Sequence, residues 1–185
     1  MENSVVQGGN YQMVILLEGV DGSGKSTLYN ILRQNFGYNF IKCLPRDDNN
    51  QYLWWKKKVE SPYVYFMDRG FVSEWVYRPV KDDEEPNISL EEIGNLCSRE
   101  LLVIWCKNKN AYKNILERGD DYINNKKEYD MIVNRYIQVI TTINWFTNSH
   151  IYEYDYEKDE LEDLLKYIEN FICERKKEWS GQQIK

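Results

Sequence analysis

The sequence predicts an α/β fold, a three-layer sandwich in which five parallel strands form one sheet with helices on both faces. Short apolar and aromatic runs recur along the chain, and such runs are typical of strands that are buried on both faces. Segments with helical spacing separate these runs, so strands and helices alternate. The predicted strands are Met13–Glu18, Asn39–Leu44, Tyr63–Met67, Leu101–Cys106 and Ile151–Tyr154.

Helices are predicted between the strands and after the last one. The first has Leu28 and Leu32 at helical spacing, and Gly37 stands where a helix commonly ends. Ser89, followed three residues later by Glu92, forms a capping box that predicts another helix start. The predicted helices span Ser26–Asn35, Gln51–Val59, Ser73–Val80, Leu90–Arg99, Asn110–Leu116, Glu128–Thr147 and Asp159–Glu178.

Length and composition indicate one globular domain. A chain of 185 residues suits a single domain, predicted over residues 13–185 after a flexible lead-in of residues 1–12. The net charge of −6 disfavours nucleic acid as a partner. The four cysteines are far apart, which indicates reduced thiols rather than a zinc or redox site.

Two features of the sequence bear on where the protein works. There is neither a signal-peptide pattern nor an apolar run of about 18 residues, so we expect a cytoplasmic protein without membrane contact. Heavy use of Asn, Lys, Tyr and Ile is typical of AT-rich genomes, such as those of many viruses and phages. For a viral protein the expected location is the host cytoplasm.

The motif GVDGSGKST follows the first predicted strand and opens the first helix. It matches G-x-x-x-x-G-K-[ST], the phosphate-binding P-loop, in the structural context that this motif requires. Backbone N–H groups and the helix N-terminus would hold the phosphates of ATP, with Lys25 at the β- and γ-phosphates and the Ser26 hydroxyl on Mg²⁺. The predicted ATP-binding residues are Gly19, Asp21, Gly22, Ser23, Gly24, Lys25, Ser26 and Thr27.

Charged residues also follow other predicted strands. Asp68 and Arg69 end the third apolar run, at the sheet edge where ligands bind, so Asp68 would hold the metal or accept a proton and Arg69 would neutralise phosphate charge. Arg46 follows the second strand and would bind the phosphate of an acceptor. Arg118 lies near the start of a polar segment, residues 117–127, that is typical of a lid closing over a nucleotide.

Three further features carry weaker functional hypotheses. Trp54 and Trp55 are adjacent, so on a helix only one can line a pocket. Core packing is the favoured role for either, and Trp54 is the candidate substrate contact. The run Lys56–Lys58 is interpreted as a solvated face. His150, the single histidine of the chain, is not expected to be catalytic.

Taken together, these motifs resemble those of the thymidylate kinase-like family of P-loop kinases over roughly residues 13 to 170. The resemblance is carried by LLEGVDGSGKST, KCLPR, DRGFVSEWVY and ERGDDY. It implies that Asp21 lies near the 3′-hydroxyl of the acceptor sugar and that Arg46 binds its phosphate. Arg69 and Ser73 would lie near the acceptor, Tyr77 would contact its base, and the lid residue Arg118 would act in catalysis.

The chain also departs from the family pattern. The segment between Pro45 and Asp68 is shorter than in thymidylate kinases, and Arg78 replaces an amide or other polar residue. Related deoxynucleoside kinases carry Glu-Pro where this chain has Pro45-Arg46, and an arginine suits a phosphate acceptor better than a hydroxyl.

The resemblance implies transfer of the γ-phosphate of ATP, with Mg²⁺, to a deoxynucleoside monophosphate, dTMP or a related pyrimidine nucleotide. It also implies a homodimer. A deoxynucleoside kinase with Asp68 as base is an alternative. The other alternative, a nucleotide-binding regulator without transfer, is disfavoured because the segment from Asn108 to Ala111 lacks the Asp of a guanine-reading NKxD motif.

Overall fold

The computed structural model describes residues 13–43, 51–97, 100–119, 122–145 and 149–182. Its strands are β1 (Met13–Glu18), β2 (Asn39–Lys42), β3 (Val64–Asp68), β4 (Leu101–Cys106) and β5 (Ser149–Tyr154). Its helices are α1 (Lys25–Asn35), α2 (Gln51–Val59), α3 (Phe71–Lys81), α4 (Leu90–Cys97), α5 (Ala111–Arg118), α6 (Lys126–Ile143) and α7 (Leu161–Gln182).

All five strands are parallel and lie in the order β2-β3-β1-β4-β5. The central strand β1 pairs with β3 and β4 so that Leu17 lies opposite Asp68 and Glu18 opposite Trp105. The carboxyl ends of the three central strands therefore meet at one edge, from which the P-loop leaves β1. In parallel sheets this is the edge where ligands bind.

Apolar side chains form a core on each face of the sheet. One core packs α1 and α7 against residues such as Ile15 and Leu17 of β1. The other packs α2, α3, α4 and α6 against Val14 and Leu16 of the same strand. Because successive strand residues point to opposite faces, an all-apolar β1 serves both layers. The predicted three-layer fold class is confirmed.

Several predicted boundaries shift by a few residues. Helix α3 begins at Phe71 rather than Ser73. Helix α6 begins at Lys126 because the Asn125 side chain accepts the Glu128 N–H at 3.0 Å. The capping box is confirmed, since the Glu92 N–H donates to Ser89 Oγ at 3.1 Å and the Ser89 N–H donates to Glu92 Oε2 at 2.8 Å. In the described part of the chain, no helix is long and apolar enough to cross a membrane.

Candidate active site

The P-loop joins β1 to α1 and has the backbone that its glycines permit. Gly22 and Gly24 have φ of 81° and 87°, in the left-handed region that favours glycine. A Cβ on Gly22 would lie 2.2 Å from the Ala111 carbonyl oxygen, and one on Gly24 would lie 2.7 Å from the Tyr156 ring. The loop is therefore closely packed by the start of α5 and by the loop that follows β5, which fixes its path.

Lys25 is folded back onto the P-loop. Its ammonium group donates to the Val20 carbonyl oxygen at 2.7 Å, as does the Ser23 hydroxyl, also at 2.7 Å. Burial, together with the nearby Arg69 guanidinium, lowers the pKa of Lys25 to about 8. An anion at the loop would replace the carbonyl as partner and favour the charged lysine.

The next two residues of the motif lie in the first turn of α1. Ser26 and Thr27 are both exposed. The hydroxyl of Ser26 and the carboxylate of Asp68, at the end of β3, are the hard oxygen donors that Mg²⁺ prefers, and Mg²⁺ usually takes few protein ligands beside water and phosphate oxygens. The two residues fit this chemistry. Within the described ranges there is no cluster of three or more His, Cys, Asp or Glu side chains suited to a metal.

A cavity of about 410 Å³ opens beside the P-loop between α1 and α5; we call it the donor cavity. Its walls include Gly24, Thr27, Asn114, Arg118 and Tyr156. The Asn114 amide donates both to the Gly22 carbonyl oxygen at 3.0 Å and to the Tyr156 hydroxyl at 2.9 Å. Asn114 thus ties the P-loop to the loop that follows β5.

Arg118, the predicted lid arginine, lies in the last turn of α5. Its Nε donates to the Asn114 carbonyl oxygen at 3.2 Å, and the side chain is exposed in the donor-cavity wall. Gly119 follows in the left-handed conformation and ends the helix. The predicted lid residue is therefore adjacent to the P-loop rather than distant from it.

A second cavity, of about 340 Å³, lies on the other side of Asp21; we call it the acceptor cavity. Arg69 forms an ion pair with Asp21, whose other oxygen accepts the Tyr77 hydroxyl at 2.9 Å. The Asp21 N–H donates back to the Tyr77 oxygen at 3.2 Å, and the Arg69 guanidinium lies 4.8 Å from the centre of the Tyr77 ring. Three residues that the sequence predicted at the site thus contact one another.

Arg69 has φ of 65°, which is uncommon for a residue other than glycine. Its N–H donates to the Leu17 carbonyl oxygen at 3.0 Å, which holds this conformation. Asp68, which precedes it, is buried in the acceptor-cavity wall. Burial raises the pKa of Tyr77, so its hydroxyl keeps its proton and remains a donor to Asp21.

Ser73 also lines the acceptor cavity, but its hydroxyl binds a buried carboxylate. The Ser73 Oγ donates to Glu18 Oε2 at 2.5 Å, and the Tyr136 hydroxyl donates to the same oxygen at 3.1 Å. Burial raises the pKa of Glu18, although hydrogen bonds from Ser73 act against it. The sequence analysis missed this cluster; the signal was an acidic residue at the end of an otherwise apolar strand.

Trp54 and Arg46 were also predicted to contact the substrate. Trp55, not Trp54, lines the acceptor cavity, because adjacent helical residues point about 100° apart and the phase of α2 turns Trp55 inward. Trp54 instead contacts Trp55 and Lys58. Arg46 falls outside the described residues.

The predicted lid segment reaches both cavities. Its start, at Arg118, lines the donor cavity, whereas Tyr122 lines the acceptor cavity with its ring centre 5.8 Å from that of Tyr77. Lys81 of α3 binds the Tyr122 carbonyl oxygen and the Glu128 carboxylate. The sequence analysis assigned no role to Tyr122.

Solved structures share this fold over nearly their whole length. The Bacillus subtilis protein YorR, solved in complex with phosphorylated GDP, is 22% identical with a TM-score of 0.65, covering 90% of this chain and 98% of that protein. Candida albicans thymidylate kinase is 18% identical with a TM-score of 0.58, covering 90% and 93%. Deoxyadenosine kinase from M. mycoides, with bound dCTP, is 17% identical with a TM-score of 0.56, covering 88% and 100%.

No protein-family model matches the sequence, and neither does any curated protein. At these identities the similarity establishes a common fold over most of the chain. The chain therefore has the fold of the thymidylate kinase-like P-loop kinases, as its sequence resemblance implied.

Proposed function

We propose that this chain is an ATP-dependent nucleotide kinase that moves the γ-phosphoryl group of ATP onto the phosphate of a deoxynucleoside monophosphate, dTMP or a related pyrimidine nucleotide. The observation that carries the proposal is the pair of cavities on either side of the P-loop. Gly22 and Gly24 belong to the wall of one cavity and Asp21 to the wall of the other. A donor and an acceptor bound there would meet at the motif that binds phosphate.

Charge stabilisation and positioning would supply most of the rate enhancement. Phosphoryl transfer needs little covalent chemistry from the protein, so cations near the transferring group do much of the work. We assign this role to Lys25, Arg69 and Arg118. Mg²⁺ held through Ser26 and Asp68 would neutralise phosphate charge. Asp21, fixed by Arg69 and Tyr77, would position the acceptor sugar.

A deoxynucleoside acceptor is the second candidate, and the position of Asp68 favours it. This carboxylate is buried in the acceptor-cavity wall, where it could take the proton of an attacking hydroxyl. Arg46 favours a phosphate acceptor instead, because a guanidinium matches phosphate better than a hydroxyl.

Transfer from labelled ATP decides between these functions. The purified chain is incubated with γ-labelled ATP, Mg²⁺ and each deoxynucleoside monophosphate, each deoxynucleoside and single-stranded DNA in turn, with Lys25→Ala as the inactive control. We expect label in deoxynucleoside diphosphates. Label only in monophosphates would establish the nucleoside kinase, and nucleotide binding without transfer to any acceptor would establish a regulator.

Two smaller proposals follow from the resemblance: a homodimer and a cytoplasmic location. The α6 side chains of Met131 and Ile137, and Trp145 just after this helix, are exposed, and their burial would favour association. Sedimentation analysis of the wild type tests the dimer, with Trp145→Ser as the variant expected to dissociate more readily. A monomer at all concentrations would contradict it.

A further inference from the structure

Helix α3, which contributes Ser73 and Tyr77 to the acceptor-cavity wall, is not capped by its own sequence. The residue before it is Gly70, which has no side chain to accept the free N–H groups of a helix start. The Ser73 N–H, at the third position of the helix, instead donates to Glu18 Oε1 at 3.2 Å. Glu18 is the last residue of β1 and is fully buried. A carboxylate from the central strand therefore caps α3.

The chain enters α3 in close contact with β1. A Cβ on Gly70 would lie 2.7 Å from Leu16 Cδ1 and 3.7 Å from Glu18 Oε1. Glycine thus allows the start of the helix to lie close enough for Glu18 to reach it. The Arg69 N–H, one residue earlier, donates to the Leu17 carbonyl oxygen of the same strand at 3.0 Å. Contacts with β1 therefore set the path of the chain from Arg69 into α3.

The second carboxylate oxygen of Glu18 connects α6 to the same cluster. Oε2 accepts from Ser73 Oγ at 2.5 Å and from the Tyr136 hydroxyl at 3.1 Å, and these two hydroxyl oxygens lie 2.8 Å apart. The Tyr136 ring packs edge-on against Tyr77, with ring centres 6.0 Å apart and planes at 80°. Glu18 therefore supports Tyr77 in two ways, through the helix that carries it and through a ring that contacts it.

Glu18 is also the residue that precedes the P-loop, which begins at Gly19. Asp21 of this loop forms an ion pair with Arg69 and accepts the Tyr77 hydroxyl at 2.9 Å. These contacts need a fixed position of α3 relative to the loop, because hydrogen bonds weaken steeply as their geometry departs from the ideal. Glu18 binds both elements, since its backbone continues into the loop and its side chain caps the helix.

We propose that Glu18 is a positioning residue whose hydrogen bonds hold the start of α3, and with it Arg69 and Tyr77, in place against the P-loop. The proposal rests on the proposed function in that it takes this cavity as the acceptor site. Glu18 contacts no substrate in this role, because its carboxylate is buried behind α3. It acts on the acceptor through Arg69 and Tyr77.

A buried carboxylate could act instead as a counter-charge for the nearby cations Arg69 and Lys25. Burial raises the pKa of Glu18, and the hydrogen bonds from Ser73 and these two cations act against this increase. Glu18→Gln separates the two roles. An amide keeps an oxygen that can accept the Ser73 N–H and N–H groups that can donate to a hydroxyl, but it carries no charge.

Isothermal titration at pH 7 with dTMP alone and with ATP–Mg²⁺ alone tests the proposal. Glu18→Met should weaken dTMP binding about tenfold, because the Ser73 N–H loses its acceptor and the start of α3 can shift. ATP binding should change by less than about twofold. Glu18→Gln should restore dTMP binding to within about threefold of the wild type.

Two results would overturn positioning by hydrogen bonds. Equal losses of dTMP binding in Glu18→Gln and Glu18→Met would assign the residue to a counter-charge. Equal losses for dTMP and ATP in Glu18→Met would mean that it supports the whole fold. The matched control is Glu100→Met, at the opposite edge of the sheet, where the carboxylate lies 3.0 Å from Arg175 Nε. It should change neither affinity.

A second variant keeps the proposal testable if Glu18→Met fails to fold. Tyr136→Phe removes the 3.1 Å hydrogen bond to Glu18 and should weaken dTMP binding about threefold. Tyr129→Phe, at another buried tyrosine of α6, is its control and should have no effect. Unchanged dTMP binding in Tyr136→Phe would then overturn the proposal.

A double-mutant cycle on stability distinguishes failure of this proposal from failure of the proposed function. Urea unfolding of Glu18→Met, Tyr77→Phe and the double variant should show effects on the unfolding equilibrium constant that are non-additive by about threefold or more. Additive effects would overturn the positioning role, even in an active kinase. If neither dTMP nor thymidine binds the wild type, the acceptor site of the proposed function is refuted, and the cycle alone decides the role of Glu18.

Discussion

The donor and acceptor sides of the site are built in different ways. On the donor side, a contiguous motif places backbone N–H groups at the start of α1, and the main added contact is Asn114 between Gly22 and Tyr156. On the acceptor side, a side-chain network joins Asp21 of the P-loop to Arg69 and Tyr77 from the β3–α3 segment. A phosphate-binding loop of a kind found in many proteins is thus formed by residues that are contiguous in sequence. The acceptor site instead depends on side chains that tertiary packing brings together.

If the two sides are separable in this way, each variant should change the kinetic parameters of one substrate only. A variant on the donor side should alter the parameters of ATP and leave those of the acceptor unchanged, and the reverse should hold for the acceptor side. Residues at the point of transfer should instead affect turnover with every acceptor.

The largest effect is expected for Lys25→Ala. Loss of the P-loop ammonium should lower kcat on the order of 10³-fold, because a preorganised cation at the transferring group is removed. Acceptor binding, measured without ATP, should stay unchanged. Lys56→Ala, at an exposed position of α2, is the matched control. Turnover near that of the wild type would exclude Lys25 from the transfer step.

Arg118→Met should lower kcat on the order of 10²-fold with little change in the KM of either substrate. The guanidinium lies in the donor-cavity wall and would add charge stabilisation mainly in the transition state. Steady-state kinetics with both substrates varied measures this split. An increase in the KM for ATP with unchanged kcat would instead assign Arg118 to ground-state binding.

Tyr77→Phe should raise the KM for the acceptor about tenfold and leave the KM for ATP unchanged. The variant removes the 2.9 Å hydrogen bond that fixes Asp21, and one buried hydrogen bond to a charged group is worth about that factor. Tyr63→Phe, at an exposed position, is the control. A change confined to ATP would mean that Asp21 belongs to the donor side.

Asn114→Ala should produce the opposite pattern, with an increase of about fivefold in the KM for ATP alone. The amide makes two hydrogen bonds that hold the Tyr156 hydroxyl and the P-loop together, each worth a modest amount. Lys113→Ala, its exposed neighbour on α5, should be silent. Unchanged ATP kinetics would show that the loop after β5 keeps its position without Asn114.

The last prediction concerns pH, and its effect is expected to be negligible near neutrality. Because the pKa of Lys25 is lowered to about 8, this lysine is charged below pH 8, and ATP affinity should be flat there. Above pH 8 the free protein loses the proton that the complex retains, so affinity should fall by up to about tenfold per pH unit. Lys25→Arg should abolish the decline, since a guanidinium stays protonated. A flat profile in the wild type would contradict the lowered pKa.

The same contrast explains what the sequence could predict. The P-loop was predictable because all of its residues are contiguous, and the strands were predictable because runs such as MVILLE are buried on both faces. The Asp21–Arg69–Tyr77 contacts were not predicted, since 48 and 56 residues separate the partners; the resemblance implied only that each of the three residues lies near the acceptor.

Other parts of the site could not be predicted. The choice between Trp54 and Trp55 depends on the rotational phase of a nine-residue helix, which adjacent tryptophans leave undetermined. The Asn114–Tyr156 bond and the Glu18–Tyr136 bond join residues 42 and 118 positions apart, and no local pattern marks them. These hydrogen bonds form only when the helices pack against the sheet.

Inhibition by a bisubstrate analogue tests the central claim most directly. A compound that links adenosine to thymidine through five phosphates would occupy both cavities only if they meet at the P-loop. We predict competitive inhibition against ATP and also against dTMP, with affinity greater than that of either substrate. Competition with ATP alone, and none with dTMP, would contradict an acceptor cavity at Asp21, Arg69 and Tyr77.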